Sequence, residues 1–490
     1  MTNLSKSQYI RGLQCLKSLW LYKKRLQLRT QPAASTKAKM DAGTSTGELA
    51  QQLFPGGKLI EFDAKDFDGM IERTEKLMDA GVTTIYEASF RGAGIFIMCD
   101  ILHKGDTGWE LYEVKGAARV KEYHRNDTAI QWYALDQLGI PLSRVAVVHI
   151  DNQYTRQGEL ELDKLFTIEE ITKEVKERQP EIPKQLQRMA EVLEEEEPET
   201  PIGAHCSSPY GCDFSSYCWK EVPKHSVFNL YNMRSEKKFA LYHNGISALS
   251  ELPDDYPLSS IQQLQKKQDQ QSEPTIKVDI IRQFLNKIKG PVSYFDFETF
   301  QNAVPRFDSQ RPYQQMPFQY SLHIQQGGEL IHKEFLGDEQ SDPRRALAEQ
   351  MIRDIPNNGV IIAYNMGFER RVIRELAKEF ADLAQQLEVI EERFIDLIDP
   401  FRDGGYYHSQ MNGSFSIKAV LPALFPDDPD LSYKSLNIQN GGDASEIFAN
   451  LYRYTDPKQI KAVRKDLLAY CRLDTLAMVK IVDRLKEVTE

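Results

Sequence analysis

The feature that most restricts the fold is an aromatic strand interrupted by acids, Val292-Ser293-Tyr294-Phe295-Asp296-Phe297-Glu298-Thr299, which follows Gly290-Pro291. Strand side chains alternate between faces, so Asp296 and Glu298 point the same way. A strand this apolar belongs inside a sheet, where stripping water from two carboxylates costs several kcal/mol unless cations compensate. A second strand, Gly359 to Tyr364, runs into Asn365-Met366-Gly367-Phe368-Glu369, where a helix is expected to begin and continue to Phe380. Near the end, Leu467 to Thr475 reads as helix, which puts Tyr470 and Asp474, four residues apart, on one face. Four acids from one strand and two helices can hold two divalent ions about 3.5–4 Å apart, as in-line attack of water on a phosphodiester requires. Tyr470 would orient that water, since a phenol is too weak an acid to act as base near neutral pH. The bland alternative is a set of lone surface acids and an amphipathic terminal helix.

A second constellation lies upstream. The apolar run Ile95-Phe96-Ile97-Met98-Cys99-Asp100-Ile101-Leu102 is broken by one acid, and the turn His103 to Gly108 returns the chain into Trp109-Glu110-Leu111-Tyr112-Glu113-Val114-Lys115. Alternation places Glu113 and Lys115 on one face, and the hairpin can bring Asp100 alongside. Two carboxylates make a hard oxygen site for Mg²⁺ or Mn²⁺, and the lysine can orient water or neutralise charge on a phosphate. An ordinary hairpin with one ion pair is the competing reading. Gly43, Gly47 and Glu48 fall on an expected helix upstream, while Tyr123 and Gln131-Trp132-Tyr133 fall on one downstream.

Cys206, Cys212 and Cys218 recur at intervals of six within His205 to Trp219. Three thiols in so short a loop suggest a metal rather than disulfides, and Cys15, after a Ser5-x-Ser7 helix start, is the natural fourth ligand. A zinc site using His205 and a group of unrelated buried thiols stay open. Cys99 and Cys471 read as packing residues.

The Asp100, Glu113-x-Lys115 and Gln131 pattern resembles the PD-(D/E)xK nuclease superfamily, particularly its RecB-like and AddB-like members and the CRISPR-associated exonucleases. That resemblance implies a restriction-endonuclease-like fold, with Asp100 and Glu113 as metal ligands, Lys115 as the catalytic lysine and Gln131 as the glutamine of the following helix. Where many RecB-like nucleases carry a histidine, this chain has Gly47 followed by Glu48. AddB-type members hold a [4Fe–4S] cluster with one cysteine before the nuclease core and three after it. The same layout here assigns Cys15, Cys206, Cys212 and Cys218, although the second cysteine interval is longer than is usual. The Asp-x-Glu, Asn-x-x-Phe-Glu and Tyr-x-x-x-Asp elements resemble the DnaQ-like 3′→5′ exonucleases of the tyrosine subtype (DEDDy), an RNase H-like fold. This implies catalytic and metal-binding roles for Asp296, Glu298, Glu369 and Asp474, with Tyr470 beside them; Glu369 stands where that family has aspartate. Arg393 to Leu397 and Gly413 to Lys418 also resemble the central part of that fold.

The 490-residue length predicts about two to four domains. Composition divides the chain into three regions, 1–222, 223–289 and 290–490, in an α/β multidomain order, and the two resemblances imply a RecB-like domain, a helical connector and a DnaQ-like domain there. The glutamine-rich stretch Gln262 to Gln271 reads as an exposed helix or linker, and Leu241 to Pro253 resembles a helix–hairpin–helix turn. Six cysteines, no apolar run of membrane-spanning length and a polar start from Met1 to Arg11 point to a soluble protein of the reducing cytoplasm, with no membrane partner. The net charge of −11 counts against non-specific coating of nucleic acid. The expected function is metal-dependent hydrolysis of DNA, single-stranded or at ends, with Phe297 and Phe300 stacking an unpaired base. The competing readings are RNA trimming and a nucleic-acid-binding scaffold with one degenerate nuclease domain.

Overall fold

The computed structural model describes residues 3–31 and 34–490, the side chains of 34–42 excepted. The chain forms two compact α/β units, one of residues 1–220 with 302–314, the other of 221–301 with 315–490. Among the described residues no helix is long and apolar enough to cross a membrane.

The first unit is built on a seven-stranded sheet: β1 (Leu4–Ser5), β2 (Lys58–Leu59), β3 (Thr84–Gly92), β4 (Ile95–Lys104), β5 (Trp109–Lys115), β6 (Leu142–Ile150) and β7 (Phe166–Glu170). Strands β2 to β7 lie in chain order, and β1 pairs in parallel with β4. The pair Ala93-Gly94, with φ of 49° and 77°, joins β3 to β4 as a tight antiparallel hairpin. β5 and β6 are parallel and need a crossover, supplied by the helix Glu122–Asp136. Gly92 lets that helix lie close, because a Cβ there would stand 1.9 Å from the Ala134 carbonyl oxygen. Leu111, Val145 and Val147 face the helices on one side, while Tyr112, Ala146 and Val148 face a second apolar layer that includes Ala303 and Val304. Alternation thus buries both faces, as a sheet with layers on each side requires.

The second unit holds a five-stranded sheet of β9 (Val292–Phe300), β10 (Met316–Gln326), β11 (Glu329–Leu336), β12 (Val360–Ala363) and β13 (Phe394–Asp396), in the order β11-β10-β9-β12-β13. β9, β10 and β11 are antiparallel neighbours, whereas β12 runs parallel to both β9 and β13. Helix Gly367–Glu379 follows β12, and the 31-residue helix Pro457–Glu487 packs on β9 and β10.

The segment 223–289 belongs to this second unit rather than standing apart. Its strand β8 (Thr275–Ile276) pairs with β14 (Tyr406–Tyr407), and Gly413 admits its backbone, since a Cβ there would meet the Asn229 carbonyl oxygen at 1.8 Å. The expectation of an exposed glutamine helix is corrected: in Ser260–Gln268, Gln262, Gln265 and Gln268 are buried. Gln262 donates to the Tyr231 carbonyl at 2.8 Å, and the Tyr231 amide donates to Gln265 Oε1 at 2.8 Å. Glutamine amides here satisfy backbone groups that would otherwise be buried and unpaired. In the stretch resembling a helix–hairpin–helix turn, Glu251 Oε2 accepts from the amides of Ser247 and Ala248.

Candidate active sites

In the second unit, β9 supplies Asp296 and Glu298, and the long terminal helix supplies Tyr470 and Asp474. Ligand atoms of Asp296, Glu298 and Asp474 lie within 4.8 Å of one another, and among the described residues no other group of three His, Cys, Asp or Glu meets that limit. Glu369, in the first turn of its helix, is 3% exposed, and its Oε2 is buried with no hydrogen-bond partner. Burial, then the charges of Asp474, Glu298 and Glu369, holds the Asp296 carboxyl well above the carboxylate range. Glu298 is pushed up by burial and Asp474, against the pull of Lys418. Burial and Asp396 lift Glu369 to about 8, and burial lifts Asp474 to about 6. A native fold keeps such a group of mutually opposed acids only at a cost, and a divalent cation on hard oxygen donors would remove that cost. The donor set therefore fits Mg²⁺ or Mn²⁺.

Three further residues surround these acids: Asp396 and Lys418 lie in stretches already singled out from the sequence, and Tyr433 carries no local sequence signal. The Tyr433 hydroxyl donates to Asp474 Oδ1 at 2.5 Å. Lys418, within the Gly413 to Lys418 stretch, donates to the Tyr470 hydroxyl at 3.2 Å and to the Gln439 carbonyl at 2.9 Å. Asp396, at the end of β13, accepts from the amides of Asn365 and Met366 at 2.8 and 3.2 Å and so shapes the turn that starts the Glu369 helix. Asn365 takes a left-handed φ of 66° in that turn, a conformation asparagine tolerates better than most residues. A cavity of ≈ 520 Å³ borders the acids, walled by Tyr231, Tyr364, Phe415 and Met478 with Asp296 and Asp474. The expectation that Phe297 and Phe300 stack a base is corrected. They are 3% and 0% exposed, Phe297 packed in the sheet's core and Phe300 against Phe318 and Phe448. Cys471 is buried, as expected, with Sγ 3.8 Å from Asp296 Oδ2.

In the first unit, β4 and β5 pair only from Ile101↔Tyr112 to Lys104↔Trp109. Asp100 and Glu113 are the first residues beyond that ladder, where the strands part. Asp100 Oδ2 accepts from the Val114 amide at 2.6 Å, and burial with the Glu113 charge raises its pKa to about 8. Lys115 donates to Glu113 Oε1 and to Asp127 Oδ2, both at 2.6 Å, and Gln131 Nε2 donates to Glu113 Oε2 at 2.8 Å. Asp100, Glu113, Lys115 and Gln131 thus meet at one place.

Sequence reading missed three further members. Asp127 lies four residues before Gln131 on the same helix, a spacing that could have disclosed it. Lys6, more than a hundred positions away, donates to Glu113 Oε1 at 2.8 Å, and no local pattern marks it. Glu87 lies on β3 between the pairs Tyr86↔Ile101 and Ala88↔Cys99, level with Asp100, at a φ of 55°. Burial and Glu113 raise its pKa to about 7. For Glu113 burial pushes upward, but Lys115 and Lys6 outweigh it and hold the carboxyl well below its usual range. Glu48 is exposed. Tyr123 stacks edge-on against Tyr210, with ring centroids 4.9 Å apart.

Cys15, Cys206, Cys212 and Cys218 line a single pocket with His205 and Lys17, and none is in a disulfide. Cys15 ends the helix Lys6–Gln14 and caps the helix Leu16–Lys24, accepting from the Ser18 amide at 3.4 Å. The start at Ser5 is a capping box with Gln8. Burial, then Lys17, Cys212, Cys15 and Cys206, acts on Cys218, whose pKa rises to about 11. No three of the four sulfurs lie within 4.8 Å of one another.

Residues 293–416 match the family described as "Domain of unknown function (DUF2779)". That stretch includes Asp296, Glu298 and Glu369 and stops short of Tyr470 and Asp474. The chain is similar to the "Uncharacterized protein MG366 homolog" of Mycoplasma pneumoniae, 29% identical over 212 residues, 40% of this chain and 32% of that protein. It is also similar to the "Uncharacterized protein UU173" of Ureaplasma parvum, 28% identical over 226 residues, 42% of this chain and 32% of that protein. The chain thus spans about a third of the length of these curated relatives.

Proposed function

We propose that the protein is a metal-dependent nuclease with two hydrolytic sites, acting on phosphodiester bonds of DNA, single-stranded or at ends. The observation that carries this is the buried group Asp296, Glu298 and Asp474 with Glu369 beside it. On this reading the second unit is an RNase H-like DEDDy 3′→5′ exonuclease, supported by its strand order β11-β10-β9-β12-β13 with a terminal helix bearing Tyr470 and Asp474. The four acids would hold Mg²⁺ or Mn²⁺, which when bound supplies a polarised water and neutralises the phosphate. The chain's own groups do the rest. The Tyr470 hydroxyl positions water beside Glu298, Lys418 fixes that hydroxyl, and Tyr433 orients Asp474.

The first unit is read as a PD-(D/E)xK nuclease. Its antiparallel β3-β4-β5, crossover helix and parallel β6 support this, as does the meeting of Asp100, Glu113, Lys115 and Gln131 where two strands part. Lys115 would steady the phosphate, and Gln131 fixes the free oxygen of Glu113. The four cysteines are proposed to hold a [4Fe–4S] cluster, in the reducing cytoplasm. A second reading makes this unit a nucleic-acid-binding module, favoured by the occupation of Glu113 by two lysines.

The test incubates labelled single-stranded DNA, duplex DNA and RNA with Mn²⁺ and compares wild type with Lys115→Ala and Asp296→Ala. Each variant should lose one cutting activity. Abolition of all cutting by Asp296→Ala alone would make the first unit a binding module. Preference for RNA would make the protein an RNA-trimming enzyme.

A further inference from the structure

We propose that Lys6 belongs to the first unit's site as a positioning residue on Glu113, and that the four-cysteine centre delivers it there. This rests on reading that unit as hydrolytic. Lys6 Nζ and Lys115 Nζ both donate to Glu113 Oε1, at 2.8 and 2.6 Å, and Lys6 also stands 3.6 Å from Asp127 Oδ1. One ammonium would balance the charge of Glu113. A second beside it is retained against like-charge repulsion only because Glu113 and Asp127 supply two negative charges. The Lys6 side chain keeps 21% exposure, so its charge borders the solvent from which a phosphate would arrive.

Lys6 opens a nine-residue helix, Lys6–Gln14, whose opposite end is Cys15. At ~1.5 Å per residue, about 13 Å of rigid rod joins the site to the cysteines. The cysteine end is fixed heavily. Gln14 Nε2 donates to the carbonyls of His205 and Tyr210, both at 2.7 Å, and Arg11 donates to Asp213 Oδ1 at 2.6 Å, the neighbour of Cys212. The site end is held by the two-residue pairing of β1 with β4, by Lys23 Nζ on the Asn3 carbonyl at 2.9 Å and by Tyr9, buried in the core. Releasing Cys15 from a centre shared with Cys206, Cys212 and Cys218 would loosen the cysteine end of the rod that aims Lys6.

The charge sets a sign that a structural role would not. Lys6 opposes a divalent cation at Glu113, so its removal should tighten Mn²⁺ binding while slowing cleavage. Loss of structure would weaken both. The experiment uses the full chain, purified anaerobically, with Asp296→Asn emptying the second unit's metal site. Lys6→Met, Lys6→Arg, Lys115→Met and Cys15→Ser are compared by iron content, by Mn²⁺ titration followed by paramagnetic resonance, and by cleavage of labelled single-stranded DNA. Lys6→Met should keep its iron, bind Mn²⁺ about tenfold tighter and cut on the order of 100-fold more slowly. Lys6→Arg should recover part of the rate, and iron-free Cys15→Ser should share the tightened Mn²⁺ binding. Parental cleavage by Lys6→Met, or weakened Mn²⁺ binding, overturns the role of Lys6, and parental Mn²⁺ binding by Cys15→Ser overturns delivery by the cysteines. If the parent and Lys115→Met cut alike, the hydrolytic reading fails instead, and the Mn²⁺ shift of Lys6→Met still decides whether its charge governs these acids.

Discussion

Replacing Glu369 with glutamine should stabilise the metal-free protein at pH 8 and change it little at pH 5. The side chain is 3% exposed, Oε2 has no partner, and burial with Asp396 lifts the carboxyl to about 8 from an ordinary 4.5. The folded state thus holds a proton that the unfolded state releases. The cost to folding is absent below the unfolded pKa, grows as pH rises and levels off above about 8. At about 1.4 kcal/mol per pKa unit, the penalty is under about 1 kcal/mol at pH 5 and a few kcal/mol at pH 8. Glutamine removes the charge and keeps the shape, which should raise the melting temperature by about 5–10 °C at pH 8. Because a chain of two units melts in more than one step, the shift is read by calorimetry on the transition whose rise with Mn²⁺ is lost in Asp296→Asn. An equal shift at both pH values, or a loss of stability confined to pH 8, would refute the argument.

Tyr470→Phe should slow release of nucleotides from a 3′ end on the order of 100-fold, with KM for single-stranded DNA little changed. Anaerobically purified protein should contain iron and absorb in the visible, and Cys218→Ser should lose both; a colourless, iron-free wild type would reject the cluster. Leu111→Ala, at a site 0% exposed between sheet and helices, should cost about 2–5 kcal/mol in denaturant unfolding of the first unit. With a net charge of −11, binding of DNA in the presence of a chelator should be weak and rise sharply with Mn²⁺; tight binding without divalent ions would show that the charge is misplaced.

Side-chain period made much of both sites legible in the sequence. Two-residue alternation put Asp296 with Glu298 and Glu113 with Lys115, and the i, i+4 spacing put Tyr470 with Asp474. Residues brought in by tertiary packing escaped. Lys6 and Tyr433 reach acids far away in the chain, and nothing beside them in sequence announces it. Phe297 and Phe300 misled because an aromatic strand near acids reads equally as a base platform and as a core, and here the sheet is covered on both faces. The glutamines of 260–268 misled because polarity suggested exposure, while their amides serve buried backbone groups.

The central claim is that Asp296, Glu298, Glu369 and Asp474 bind divalent metal. Anomalous X-ray scattering from crystals soaked in Mn²⁺ tests it most directly. The account predicts peaks among these four carboxylates that vanish in Asp296→Asn. Full cleavage activity with no manganese at that position would contradict it.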